Sequence, residues 1–219
     1  TLKRLPAWLC GLGLALLRPA DSIVCVNANL HTWLLAEQFP PDKLRLCPAY
    51  IPPSPDECDD RHLTQEMRDF LAAHQQVIAS HGSFGYFIDG VHVYSFDMLA
   101  AMLKNLRQKF PNLGMVTTIS GNYAETYRQQ ILALRQELGL AEHWLISEKP
   151  FPAVSLFKKC QIFVRPTITD GDSVSIRECQ MLGVPVVASD AVPRPPTTIL
   201  FHNRDQADFE HRVCEILRA

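Results

Sequence analysis

The chain has 219 residues, of which 47% are apolar, enough for one complete domain and part of a second. A formal charge of -2 is nearly neutral and does not point to a nucleic-acid backbone as partner, and no long like-charge run or low-complexity tract occurs. The seven scattered cysteines contain no Cys-x-x-Cys pair, which argues against a disulfide framework and a zinc knuckle and fits a reducing, cytoplasmic setting.

The first element is an apolar run over 5–17, preceded by Lys3 and Arg4. It is too short to span a bilayer, and Arg18-Pro19-Ala20 makes a poor signal-peptide cleavage site. A buried or interfacial helix is expected, leaving open a peripheral contact at the inner face of a membrane. Beginning on Thr1, the chain is expected to lack its native start. A short buried strand is predicted over 22–26, then a helix capped by Asn27 or Asn29 and running to about Glu37, then a strand over 44–47. Three prolines among Pro52, Pro53, Ser54 and Pro55 leave only extended or turn structure, read as an interdomain linker. The expected division is 1–53 and 54–219.

A helix is predicted over 64–73 and a strand over 77–79. Met98, Met102, Leu106 and Phe110 share one helical face, and Tyr127, Ile131, Leu134 and Leu138 form the next stripe, ended by Gly139. Strands at 115–119 and 144–146, a short helix at 153–159 and a strand at 162–164 follow, then a helix at 174–182 and a strand at 185–188. A last strand at 198–200 and a helix marked by Phe209, Val213 and Leu217 close the chain. Strands alternating with helices through short connections imply an α/β, Rossmann-like, doubly wound parallel sheet. Ligands of such sheets bind at the carboxyl ends of the strands, which directs attention to the loops 80–96, 119–124, 147–152, 165–174 and 189–197.

One of those loops reads Asp170-Gly171-Asp172-Ser173 and leads into Ser175-x-x-Glu178. Two carboxylates on a turn could hold a divalent cation that binds a diphosphate, but Asp and Gly are also ordinary turn residues. Ser175 and Glu178 have capping-box spacing, so Glu178 could simply close a helix start. A helix opening at Val174 would aim free N–H groups at the bend and attract an anion. Gly183-Val184-Pro185 then ends the helix, and Val186-Val187-Ala188 enters the core.

The compound pattern over 161–190 resembles the donor-site signature of the family 4 (group 1) glycosyltransferases, whose two-Rossmann-domain fold is called GT-B. The family's acidic residue, seven residues, Glu, Gly-x-Pro-Val-Val-Ala becomes Asp170, seven residues, Glu178, and Gly183 to Ala188. Similarity is weaker upstream, where 21–27 resembles the last strand of the family's N-terminal domain and 43–53 the crossover. The resemblance implies a retaining, metal-independent hexose transfer from a nucleoside diphosphate sugar to a saccharide or lipid-linked acceptor, with no cofactor. It places Asp170 at the donor sugar, Glu178 at the ribose, and the backbone N–H groups of Gly171, Asp172 and Ser173 near sugar and phosphates.

Three departures qualify it. Asp170 stands where the family usually has Glu, Asp172-Ser173 replaces a frequent Phe-Gly, and the cations of the domain's first loop are missing from Gly82-Ser83-Phe84-Gly85. Arg165 and Arg194, near strand ends, could supply phosphate contacts as bidentate forks. Arg165 could equally pair with Asp170 or Asp172. Gly82 and Ser83 could approach the phosphates or form a plain turn, and His81 reads as a buried or solvated histidine. Two other readings stay open: a metal-dependent Asp-x-Asp transferase, and a non-catalytic sugar-nucleotide or interaction module.

Overall fold

The structure is a computed structural model, and it describes residues 6–47 and 50–218. The chain forms two compact units, Thr1–Tyr50 and Ile51–Ala219.

The first unit holds α1 (Ala7–Leu17), β1 (Ile23–Cys25), α2 (Ala28–Ala36) and β2 (Leu44–Leu46). The strands pair in parallel, Ile23 opposite Leu44. Asn27 caps α2, its Oδ1 accepting from the Leu30 N–H at 2.8 Å. Leu14, Cys25, Leu34, Phe39 and Leu44 make a small core. The expected start of the first helix at Leu5, with Lys3 and Arg4, lies outside the described residues. Expected as buried or interfacial, α1 is not a buried helix. Leu14 alone of its residues is buried, while Trp8, Leu12 and Leu16, spaced on one face, are exposed. Two strands and one helix are too little structure to cover an apolar helix on all sides. No helix among the described residues is long and apolar enough to cross a membrane.

The second unit is an α/β domain around a six-stranded sheet. Its strands are β3 (Gln76–Gly82), β6 (Leu113–Ile119), β7 (Trp144–Ser147), β8 (Ile162–Arg165), β9 (Val186–Ser189) and β10 (Ile199–Phe201). The order is β10-β9-β8-β3-β6-β7 and every pairing is parallel. The domain is therefore the expected doubly wound Rossmann-like sheet. Alternate side chains along each strand enter opposite layers. Ile78, Met115, Ile162 and Val187 pack under α4 (Phe96–Leu106), α5 (Glu125–Glu137) and α8 (Gln206–Leu217). Val77, Ala79, Val116, Phe163 and Val186 pack under α3 (Gln65–Ala73), α6 (Val154–Phe157) and α7 (Val174–Met181).

The chain leaves β3 toward β6 and β7, then crosses back to β8 on the other side. The topological switch point thus lies between β3 and β8, where doubly wound sheets bind ligands. Just beyond β3 the chain forms a hairpin that the sequence reading missed, β4 (Phe87–Ile88) with β5 (Val91–His92). Its turn residues Asp89 and Gly90 both have positive φ, 49° and 79°, as a type I′ turn requires.

This loop is fastened to the one after β6. The Ser83 Oγ donates to the Asn122 carbonyl at 2.5 Å. A Cβ on Gly85 would stand 2.7 Å from the Asn122 carbonyl carbon. Gly85→Ala is expected to cost about 1–3 kcal/mol, because backbone must move to admit the methyl. Differential scanning fluorimetry should show a fall of several degrees, and an unchanged Tm would contradict the close approach.

Candidate functional site

β8 ends in Arg165, and the bend through Asp170 leads to α7, whose N-cap is Ser173. Ser173 makes no side-chain capping bond. The capping box expected of Ser175 and Glu178 is not formed, because the helix opens before Ser175 and places it inside the first turn. The Glu178 side chain is half-buried and has no hydrogen-bond partner among the described residues. Burial, helped by the charge of Glu57, raises its pKa. Glu57 itself is turned toward Ser54, accepting from its N–H at 2.8 Å and its Oγ at 2.9 Å.

At the switch point Arg165, Asp170 and Arg194 form one network. Arg165 donates from Nε to Asp170 Oδ2 at 2.9 Å and from Nη2 to Oδ1 at 3.2 Å. Its Nη1 donates to the His81 carbonyl at 3.0 Å, and its guanidinium lies 4.9 Å from the centre of the Tyr94 ring. Arg194 donates from Nη1 to Asp170 Oδ2 at 2.8 Å, from Nη2 to Thr167 Oγ1 at 2.8 Å, and from Nε to the Ser189 carbonyl at 3.2 Å. The side chains of Arg165, Asp170 and Arg194 are only 7%, 12% and 2% exposed.

Burial raises the Asp170 pKa, but the two guanidiniums outweigh it and hold the carboxyl below its ordinary value. For Arg165, burial works against the charge and Asp170 more than restores it. Burial wins at Arg194, whose pKa is lowered. Of the two readings of Arg165, the pairing with Asp170 is the one the structure contains.

Asp172 faces a third arginine. Arg177 donates from Nε to both of its oxygens, at 2.7 and 2.8 Å. Only the Nε of Arg177 is so engaged among the described residues, and its side chain is 28% exposed. Both carboxylates of the Asp-x-Asp stretch are thus matched by guanidiniums, so a divalent cation there would compete with three arginines. Gly171 is exposed, donates its N–H to Asp170 Oδ1 at 3.0 Å, and has open space where a Cβ would stand. Packing leaves the backbone at that point accessible to a ligand.

Gly82 and Ser83 border the network but are occupied by the chain's own atoms. A Cβ on Gly82 would stand 2.9 Å from the Phe96 ring and 3.2 Å from Tyr94. Ser83 is buried and spends its hydroxyl on Asn122. His81 sits half-buried between two hydroxyls, Thr118 Oγ1 at 2.8 Å and Ser120 Oγ at 3.1 Å. Burial, with the nearby Arg165 charge, lowers its pKa to about 4. Glu148, in the loop after β7, is held by the Arg128 Nε at 2.9 and 3.1 Å. Tyr94, Thr167 and Ser189 complete the network and were not anticipated. Tyr94 and Thr167 meet an arginine through contacts distant in sequence, and Ser189 meets Arg194 across the loop that follows β9.

The chain matches no curated protein. In solved structures it is similar over 98% of its length to a glycosyltransferase from Rickettsia africae ESF-5, with TM-score 0.75, 13% identity and 57% of that chain covered. Over 99% it is similar to HepE (Alr3699) of Anabaena, solved with UDP-glucose, with TM-score 0.73, 12% identity and 60% covered. Sucrose-phosphate synthase of Thermosynechococcus elongatus gives 0.70 at 16% identity, covering 99% of this chain and 54% of that one. Likeness at such identities shows the fold, and the chain spans about 60% or less of these proteins' lengths. Residues 75–219, which include the whole switch-point network, match the glycosyl transferases group 1 family, and the chain belongs to that family.

Proposed function

We propose that residues 54–219 are the donor-binding domain of a retaining, metal-independent GT-B glycosyltransferase that moves a hexose from a nucleotide sugar to a saccharide or lipid-linked acceptor. Residues 1–53 are read as a remnant of the acceptor domain and the crossover. The bare Trp8, Leu12 and Leu16 face of α1 and the two-stranded sheet support that, since both are parts of an α/β layer. One observation carries the functional reading: the family match covers the residues that the fold gathers at the carboxyl edge beside the switch point.

In this reading Glu178 accepts hydrogen bonds from the ribose hydroxyls, for which its unpartnered carboxylate is suited. The N–H groups opening α7 approach the diphosphate, for which the open space at Gly171 leaves room, and their fixed dipoles would stabilise it as a leaving group. Arg177, on α7 with its terminal nitrogens uncommitted, is the arginine best placed to assist.

The HepE structures with UDP-glucose and with UDP make those compounds the first probes. UDP-glucose is expected to raise the Tm of the chain, with and without EDTA. Glu178→Gln is expected to weaken UDP and UDP-glucose alike by about 10–100-fold in calorimetry, the effect of losing hydrogen bonds to a charged group. Binding abolished by EDTA would favour the metal-dependent reading. If a panel of nucleoside diphosphate sugars leaves the Tm unmoved, the non-catalytic module is the better description.

A further inference from the structure

We infer that Asp170 is a positioning residue rather than a ligand of the donor sugar: it locks two buried arginines and so holds the loops of the switch point in place. This rests on the donor-site reading for its consequence, and on the geometry alone for its mechanism.

A carboxylate has about four lone-pair sites. Asp170 already receives five donors. Oδ1 accepts from Arg165 Nη2 at 3.2 Å and Gly171 N at 3.0 Å. Oδ2 accepts from Arg165 Nε at 2.9 Å, Arg194 Nη1 at 2.8 Å and Thr167 Oγ1 at 3.4 Å. No capacity is left for sugar hydroxyls. The arginines that it neutralises reach the ends of β3 and β9 and the segment after the hairpin. Arg165 binds the end of β3 through the His81 carbonyl and lies against Tyr94 beyond the hairpin. Arg194 binds the end of β9 through Ser189. The Ile168 N–H donates to the Val93 carbonyl at 3.1 Å, joining the same bend to the hairpin. Deleting Asp170 would leave two guanidiniums buried without a counter-charge, and all these links would loosen together.

The shorter Asp at this position fits that role. It reaches back to an arginine five residues earlier and leaves its carboxylate only 12% exposed. Neutralising Arg165 and Arg194 also withdraws them from the diphosphate, the alternative that their places near strand ends had left open.

The test compares UDP with UDP-glucose on the full chain. Asp170→Asn is expected to lower the Tm by about 10 °C and to weaken UDP and UDP-glucose by the same factor. Thr167→Val, which removes one hydroxyl from the network, should do both to a smaller degree and serves if Asp170→Asn does not fold. Asp170→Asn combined with Arg194→Gln should lose less stability than the two single changes summed. A sugar ligand behaves differently: UDP-glucose would weaken 10-fold or more while UDP and Tm stayed put, and that result overturns the inference. Strictly additive Tm losses would overturn it as well. If the unaltered chain binds neither compound, the donor reading fails, and the thermal comparison alone then decides the role of Asp170.

Discussion

Lowering the pH from 7.5 to 4 is expected to remove about 6 kcal/mol from the stability of the domain 51–219, through two histidines held neutral in the fold. Burial lowers both His81 and His92 from 6.5 to about 4. His92 is 5% exposed and packs as an aromatic ring, stacked on Tyr127 at 4.1 Å and meeting Phe87 and Phe96 at 4.9 and 5.1 Å. Neither of its ring nitrogens has a hydrogen-bond partner among the described residues. The nearby backbone of Ser83 and Phe84 favours the charged ring and is outweighed by burial.

The sign follows from proton binding. The unfolded chain protonates these rings near 6.5 and the folded one only near 4, so the unfolded state gains protons first as pH falls. Their contribution is therefore complete above 6.5, declines through that range, and is spent below about 4. At pH 4 each ring accounts for about 3 kcal/mol. Asp170 and Asp97, whose pKa values are lowered in the fold, push the same way at the acid end of the range, while Glu178 opposes them. Urea unfolding at pH 7.5, 6, 5 and 4 measures the slope. His92→Phe keeps the ring in its aromatic cage and removes the titrating group, so the slope should fall by about half. Equal midpoints at pH 7.5 and 4 would refute the assignment of these rings as neutral.

His81 also shows where the sequence was legible and where it was not. A strand was expected over 77–79, from three apolar residues, but β3 continues through Ser80, His81 and Gly82. Periodicity cannot see that extension, because its polar side chains are satisfied by the neighbouring strand. Ser80 meets Thr117 at 2.6 Å and His81 meets Thr118 at 2.8 Å. The alternation that predicted the doubly wound sheet was strong because both layers are filled by apolar residues at regular spacing. Asp89-Gly90 was a readable hairpin turn that its two-residue strands were too short to advertise. At the site, the spacing from Arg165 to Asp170 permitted either an internal pair or a phosphate contact. The pairing seen is supported by Arg194, 24 residues from Asp170, and by the Tyr94 ring just beyond the hairpin, and no local pattern contains either.

Trp144→Ala is expected to cost about 3–5 kcal/mol, the range for deleting a buried aromatic side chain. The indole is fully buried in the layer shared with Phe96, and its Nε1 donates to Thr117 Oγ1 at 2.8 Å. Thr117 in turn meets Ser80 Oγ at 2.6 Å, so one hydrogen-bonded chain crosses β7, β6 and β3 inside the core. Trp144→Phe separates the contributions. It keeps most of the apolar volume and removes only the donor, and Thr117 retains Ser80, so about 1–2 kcal/mol should be lost. The next residues along the two strands, Thr118 and His81, lead directly to Arg165. Urea titrations of the two variants at one temperature measure both losses. Were Trp144→Phe as damaging as Trp144→Ala, the hydrogen bond rather than ring volume would dominate at this position.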